Sequence, residues 1–171
     1  MIRSVPVTAD LVPALSDLAV ATFSETFGQL YPPEDLTAFL MKSYAPDKLL
    51  AETSDPTQYW RIWFDGDDAI AYLHLGPVTL PHADADRDRH GEIKRIYVRQ
   101  NHQGQGLGRS VMNHALDYLS RTYGDAPQWL GVWSGNTKAQ ALYAKYSFER
   151  AGEYVFPVGQ TMDDEFILRR F

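Results

Sequence analysis

Gln103-Gly104-Gln105-Gly106-Leu107-Gly108 lies between an alternating, β-branched and aromatic stretch, Glu92–Val98, and an apolar-periodic stretch from about Arg109 to Tyr123. A glycine-rich segment between a strand and a helix lets the chain turn sharply and brings backbone N–H groups together without side chains in the way. The first N–H groups of a helix have no intrahelical acceptor, and the helix dipole favours an anion there. A phosphate or pyrophosphate suits that position; tight packing of the turn is the alternative reading. Three familiar phosphate loops do not fit. A P-loop ends in Gly-Lys-Ser or Gly-Lys-Thr, whereas Gly108 is followed by Arg109 and Ser110. A dinucleotide fingerprint counted from Gly104 puts Arg109 where its last glycine belongs, and the kinase version fails in the same way.

Outward from this loop, the helix from Arg109 should turn Val111, Ala115, Leu116 and Leu119 inward. Gln128–Trp133 reads as a strand and Thr137–Tyr146 as a helix. Phe148–Phe156 and Met162–Leu168 read as a closing antiparallel pair. Upstream, Tyr59–Phe64 and Ala69–Leu75 are strands joined by the turn Asp65-Gly66-Asp67-Asp68. Pro77–His90 is polar and reads as a loop. Ile2–Val7 reads as a first strand. A helix from Asp10 to Gly28 follows, with Leu11, Leu15, Leu18, Val20 and Phe23 on its apolar side and Pro13 in its first turn. Pro32 and Pro33 open another helix through Leu36, Phe39 and Leu40. Such mixing predicts an α/β layer fold, antiparallel first and then crossing over through helices.

At 171 residues, with no repeat or linker, the chain reads as one domain, 1–171. Apolar residues make up 44%, which excludes disordered and collagen-like classes. Cysteine is absent, which excludes disulfides, thiolate metal sites and a cysteine nucleophile. No apolar run approaches the roughly 20 residues that cross a bilayer, and the start lacks signal-peptide character. A cytoplasmic protein without membrane contact is the default expectation. The net charge of −6 argues against nucleic acid as partner and is compatible with cationic substrates.

The order Glu92-Ile93-Lys94-Arg95-Ile96-Tyr97-Val98, then Gln103-x-x-Gly106-x-Gly108, then Asn136-x-x-Ala139-x-x-x-Tyr143 resembles the two coenzyme A motifs of the GNAT superfamily of N-acetyltransferases. The resemblance spans most of the chain from Tyr59 onward. It implies a mixed, mostly antiparallel central sheet with a splayed parallel strand pair and helices on both faces. It also implies acetyl-CoA as cosubstrate. Its pantetheine arm would lie along Ile96, Tyr97 and Val98. The pyrophosphate would sit on the loop from Gln103 through Gly104, Gln105, Gly106, Leu107 and Gly108 to Arg109, with Asn136 and Lys145 as further contacts. Thr22–Gly28, Tyr31–Leu36 and Asp163–Ile167 resemble the bacterial spermidine/spermine acetyltransferase branch, which makes Glu25 and Tyr31 candidate substrate contacts. A homodimer is compatible with the resemblance.

The implied reaction is direct attack of an amine on the thioester. An alkylamine with a pKa near ~10.4 arrives protonated, so a base must take its proton. Glu92 matches that role through a water; as a strand-end carboxylate it reads equally well as simply solvated. Tyr143 matches the acid that protonates the departing thiolate, and is otherwise a packing tyrosine. Ser147 stands where the family usually carries glycine, at a cost of about 1 kcal/mol in the turn. The acids between His82 and His90 alternate with arginines and lack the positions of a calcium loop, so no metal is expected. Trp129 and Trp133 read as core. Glu25, Glu34, Asp35 and Asp163-Asp164-Glu165 suit a cationic substrate, although each alone reads as surface. The expected activity is acetyl transfer to the primary amine of a small molecule such as a polyamine. The alternatives are a protein lysine or N-terminal acetyltransferase and a non-catalytic CoA-binding module.

Overall fold

In the computed structural model, which describes residues 1–171, the chain reverses at Gly66-Asp67 to pair β2 (Tyr59–Asp65) with β3 (Asp68–Pro77). Gly66 has φ +60°, a left-handed conformation that glycine adopts without a Cβ penalty. β1 (Ile2–Pro6) joins the outer edge of β2, and β4 (Gly91–Val98) pairs with β3, all antiparallel. β5 (Gln128–Trp133) then lies parallel to β4. A parallel neighbour requires a crossover, here α4 (Leu107–Tyr123). The hairpin of β6 (Glu149–Val158) and β7 (Thr161–Arg170) closes the sheet in the order β1-β2-β3-β4-β5-β7-β6.

Helices cover both faces. On one, α4 buries Val111, Met112, Ala115 and Leu119 against Leu73, Leu75, Ile93 and Leu130, and α5 (Thr137–Ala144) adds Tyr143. On the other, α1 (Val12–Phe27), α2 (Pro33–Tyr44) and α3 (Pro46–Ser54) bury Leu15, Leu18, Phe23, Phe39 and Leu49 against Trp60, Ile62 and Tyr72. This is the mostly antiparallel sheet with one parallel pair that the resemblance implies.

Several boundaries differ from the sequence reading. Ala9–Leu11 is a 3₁₀ turn, so α1 begins at Val12, and Val20 on its flank is exposed. The helix α3 was not anticipated, because its nine residues include one fully buried apolar side chain, Leu49, too little for a periodic signal. α4 begins two residues before Arg109, and Leu116 is only partly buried while Met112 is fully so. α5 ends at Ala144, and Ser147 then takes φ +65°, the one non-glycine residue in the left-handed region.

Candidate active site

The parallel ladder lasts for three register pairs, Gly91 with Gln128, Glu92 with Trp129 and Ile93 with Leu130. Beyond it, β4 stays on β3 while β5 stays on β7, so the two strands part. A register shift in the β3–β4 ladder places Lys94 in a bulge at that point, and bulges bend a strand and raise its twist. The parted edges open on a cavity of about 1310 Å³ that takes in Lys94–Val98 and Leu130–Trp133. Single-ligand pockets run to about 300–1,000 Å³, so this one has room for two reactants.

At one end stands the glycine loop. Gly104 (φ +77°) and Gly106 (φ +87°) turn it, and Gly106 occupies the N-cap of α4 with no side chain capping the helix. The N–H groups from Gly104 to Arg109 donate to nothing within the protein. A Cβ on Gly104, Gly106 or Gly108 would meet no atom within 4 Å, so the space before these N–H groups is open. Such a cradle fits a pyrophosphate. Gln103 braces it: its amide donates to the Val98 carbonyl (3.0 Å) and accepts from Lys138 Nζ (2.8 Å). Arg109, Lys138 and Lys145 line the same end and give it positive charge. Two loop side chains turn elsewhere. Gln105 bonds back to the Asn101 carbonyl, and Leu107 is buried in the core.

Asn136 caps α5 by accepting the Ala139 N–H at 3.1 Å, which orients the helix so that Tyr143 reaches the cavity from the α4 face. The Tyr143 ring packs edge-on to Phe148, its hydroxyl has no hydrogen-bond partner in the protein, and burial pushes its pKa up to about 12. It therefore remains a protonated donor at any ordinary pH.

On the opposite face the cavity is aromatic and acidic. Phe27, Tyr31, Phe39, Trp133 and Phe156 wall it, with Trp133 set edge-on to Phe27. Tyr31 donates to Asp163, and burial together with that carboxylate raises the Tyr31 pKa. Glu92 lines the cavity too. Its Oε2 accepts the Thr79 N–H (2.8 Å), the Thr79 hydroxyl (3.1 Å) and the Lys94 ammonium (3.2 Å). Glu25 is held by Arg99 (2.8 Å) and the Gln100 N–H (2.9 Å), tying α1 to the end of β4.

Sequence reasoning missed the inward side of the last hairpin. Asp163 and Glu165 face the cavity while Asp164 is exposed, and Trp133, packed against the core beneath α1, also forms cavity wall. The period-two alternation of β7 carries that signal: two residues apart means one face.

A sequence model of the acetyltransferase (GNAT) family matches residues 13–148. An uncharacterized N-acetyltransferase of Lactobacillus delbrueckii is 30% identical over 99% of this chain and 96% of its own. A spermine/spermidine N(1)-acetyltransferase of Bacillus subtilis is 24% identical over 64% of this chain and 72% of its own. A ribosomal protein bS18-alanine N-acetyltransferase of Salmonella typhimurium is 29% identical over 65% and 70%. Among solved structures, the PaiA N-acetyltransferase of Thermoplasma acidophilum in complex with coenzyme A superposes with a TM-score of 0.79 at 17% identity, covering 99% of this chain and 98% of that one. Sheet, glycine cradle and family match agree: the chain belongs to the GNAT family and is an N-acetyltransferase that uses acetyl-CoA.

Proposed function

We propose that the acceptor is the primary amine of a small cationic molecule, with polyamines as the leading class. One observation carries this reading. Beside the aromatic, acidic half of the cavity, bonds tie the α1–α2 region to the β6–β7 hairpin. Tyr31 reaches Asp163, while Asp35 accepts the Gln160 N–H (2.9 Å) and the Thr161 hydroxyl (2.6 Å). An extended peptide needs an unobstructed groove, whereas a cavity narrowed by these ties suits a slender amine. Aromatic faces and carboxylates both attract a cation. The likeness to a spermine/spermidine acetyltransferase supports the same class.

On this reading the cradle from Gly104 to Arg109 takes the pyrophosphate, and the edge Ile96–Val98 that β5 leaves open, with the Val98 carbonyl on Gln103, takes the pantetheine amides. Asn136 and Lys145 complete that half. Tyr143 donates to the sulfur as it leaves. Bound acetyl-CoA supplies the activated acetyl group. The protein positions it against the amine and excludes water.

Incubation with acetyl-CoA and a panel of spermidine, spermine, simple amines, aminoglycosides and lysine peptides, read as free thiol, tests the assignment. Saturable turnover on polyamines with little on peptides is expected. Turnover confined to peptides would move the acceptor to the protein class, the alternative that the ribosomal-protein relative favours. Coenzyme A binding without turnover on any amine would leave a binding module.

A further inference from the structure

Four glutamates line the cavity. Glu25 is paired with Arg99 and Glu52 with Arg95; the surroundings of the other two, Glu92 and Glu165, differ. Glu92 lies within the paired part of β4, opposite Trp129 and before the strands separate. Its Oε2 is surrounded by three donors, and the Lys94 ammonium neutralises its charge. Glu165 lies on β7 opposite Trp133, beyond the separation. Its Oε2 accepts one hydrogen bond, from Tyr154 Oη at 2.6 Å, and no cation pairs with it.

Gly131 locates this pair. It is the first β5 residue past the last β4–β5 register pair. A Cβ there would stand 2.5 Å from Tyr154 Oη and 3.3 Å from Glu165 Oε2. The missing side chain thus makes room for the Tyr154–Glu165 pair directly over the point where the sheet opens. Tyr143 lines the same cavity from the other face of the sheet. A reacting carbonyl between the two must lie in the gap between the strands.

The geometry points to Glu165, oriented by Tyr154, as the carboxylate that holds the acceptor's ammonium and takes its proton; this rests on the amine-acceptor reading. Glu165 accepts one proton from the ammonium, leaving a neutral amine. The nitrogen lone pair forms the C–N bond, and Tyr143 passes its proton to the sulfur as the C–S bond breaks. The second nitrogen proton restores Tyr143, and Glu165 returns its own to solvent, so one proton is released per acetyl group transferred. Glu92, paired with Lys94, keeps the Thr79 loop in place. Burial, the largest cause, and the nearby Asp163 raise the Glu165 pKa, while the Tyr154 hydrogen bond lowers it, so the group is a stronger base than an exposed glutamate.

The test is the pH dependence of kcat/KM for the best amine of the panel, with coenzyme A affinity measured by calorimetry for each variant. Wild type should rise with pH through the Glu165 pKa and then level. Glu165→Gln should lose about 10²–10⁴-fold at neutral pH. It should also lose the plateau, rising with unit slope toward the amine pKa, because only amine already neutral in solution then reacts. Its coenzyme A affinity should be unchanged, which separates a lost base from a lost fold. Tyr154→Phe removes the bond that lowers the Glu165 pKa, so the rise should move to higher pH. Glu92→Gln should keep the wild-type shape. An unchanged profile in Glu165→Gln, or a lost plateau in Glu92→Gln, overturns the assignment while the amine reading stands. Wild type that turns over no amine overturns both.

Discussion

Replacing Tyr143 by phenylalanine should separate chemistry from packing, because the ring is fixed while the hydroxyl is free. The ring is buried against Phe148 in the core cluster beneath α4, and the hydroxyl makes no hydrogen bond in the protein. Its removal therefore breaks no internal contact, and stability should change by no more than about 0.5 kcal/mol. The catalytic cost is larger. Burial lifts the phenol from 10.0 to about 12, which penalises the phenolate by about 3 kcal/mol. A free thiol titrates near ~8.5, so a phenol at about 12 does not readily protonate a thiolate already released. On the proposed mechanism it serves as a donor whose proton moves while the C–S bond lengthens. A positioned acid of this kind is worth about 10²–10⁴ in rate, or roughly 3–5 kcal/mol of barrier. Steady-state thiol release should show that loss in kcat for Tyr143→Phe, with coenzyme A affinity within about twofold of wild type and no new pH limb below about pH 10. A variant within about threefold of wild-type kcat would refute the reasoning and leave Tyr143 as a packing residue.

Other perturbations test the frame. Gly106→Ala puts a Cβ at φ +87° with no protein atom within 4 Å, so its cost of about 1–2 kcal/mol is backbone strain alone. Urea midpoints should fall accordingly, and coenzyme A should bind more weakly as the loop relaxes. Ser147→Gly removes the same kind of strain at φ +65° and should raise stability by about 1 kcal/mol without altering turnover. His74 stacks on Trp60 at 3.8 Å with Nε2 on Gln58, and burial, aided by Arg95 and Lys94, lowers its pKa to about 2. The unfolded chain then binds a proton that the folded one refuses. The contribution to stability is complete above the unfolded pKa near ~6.5 and is lost as pH falls from there toward the folded value. Urea unfolding at pH 5.5 against 7.5 should show a drop of about 1 kcal/mol that His74→Gln removes.

The half assigned to coenzyme A was legible because the chemistry proposed for it is carried by backbone, and a backbone conformation leaves a mark in sequence. The glycines at Gly104 and Gly106 are there for their φ, and Asn136 is there because α5 needs a cap. Ser147, read as occupying a glycine's turn, does so. The acceptor half was much less legible. Its walls come from α1, α2, β5 and the β6–β7 hairpin, and no local pattern says which of their side chains converge. Trp133 reads as core and packs against it, but nothing local says that its other side lines the cavity. Asp163 and Glu165 read as surface because a carboxylate in a polar run usually is. Asp35 is a buried acid between Glu34 and Leu36 whose partners, Gln160 and Thr161, lie far along the chain. Contacts of that sequence separation follow from the fold and not from any motif.

The proposed acid and base, Tyr143 and Glu165, lie on opposite faces of one sheet, and that placement has a physical reason. A phenol and a carboxylate that meet in a low-dielectric cavity hydrogen-bond, as Tyr154 and Glu165 do at 2.6 Å, and a phenol so engaged no longer points at a leaving group. Tyr143 escapes this because the sheet stands between it and Glu165. β5 turns Leu130 and Val132 toward Tyr143, and Trp129 and Trp133 toward the other side. An intact ladder would also keep the reactants apart, so the strands must part where the reaction occurs. The bulge at Lys94 and the three-pair ladder do that. On the proposed mechanism, a substitution that crowds the carboxylate pair over the gap should uncouple the two halves without removing either. Gly131→Ala places its methyl against Tyr154 and Glu165 and leaves the cradle at Gly104–Arg109 untouched. It should retain coenzyme A binding and lose amine turnover by a factor close to that of Glu165→Gln. Equal weakening of both functions would mean that the strands, and not the carboxylate pair above them, are what the glycine protects.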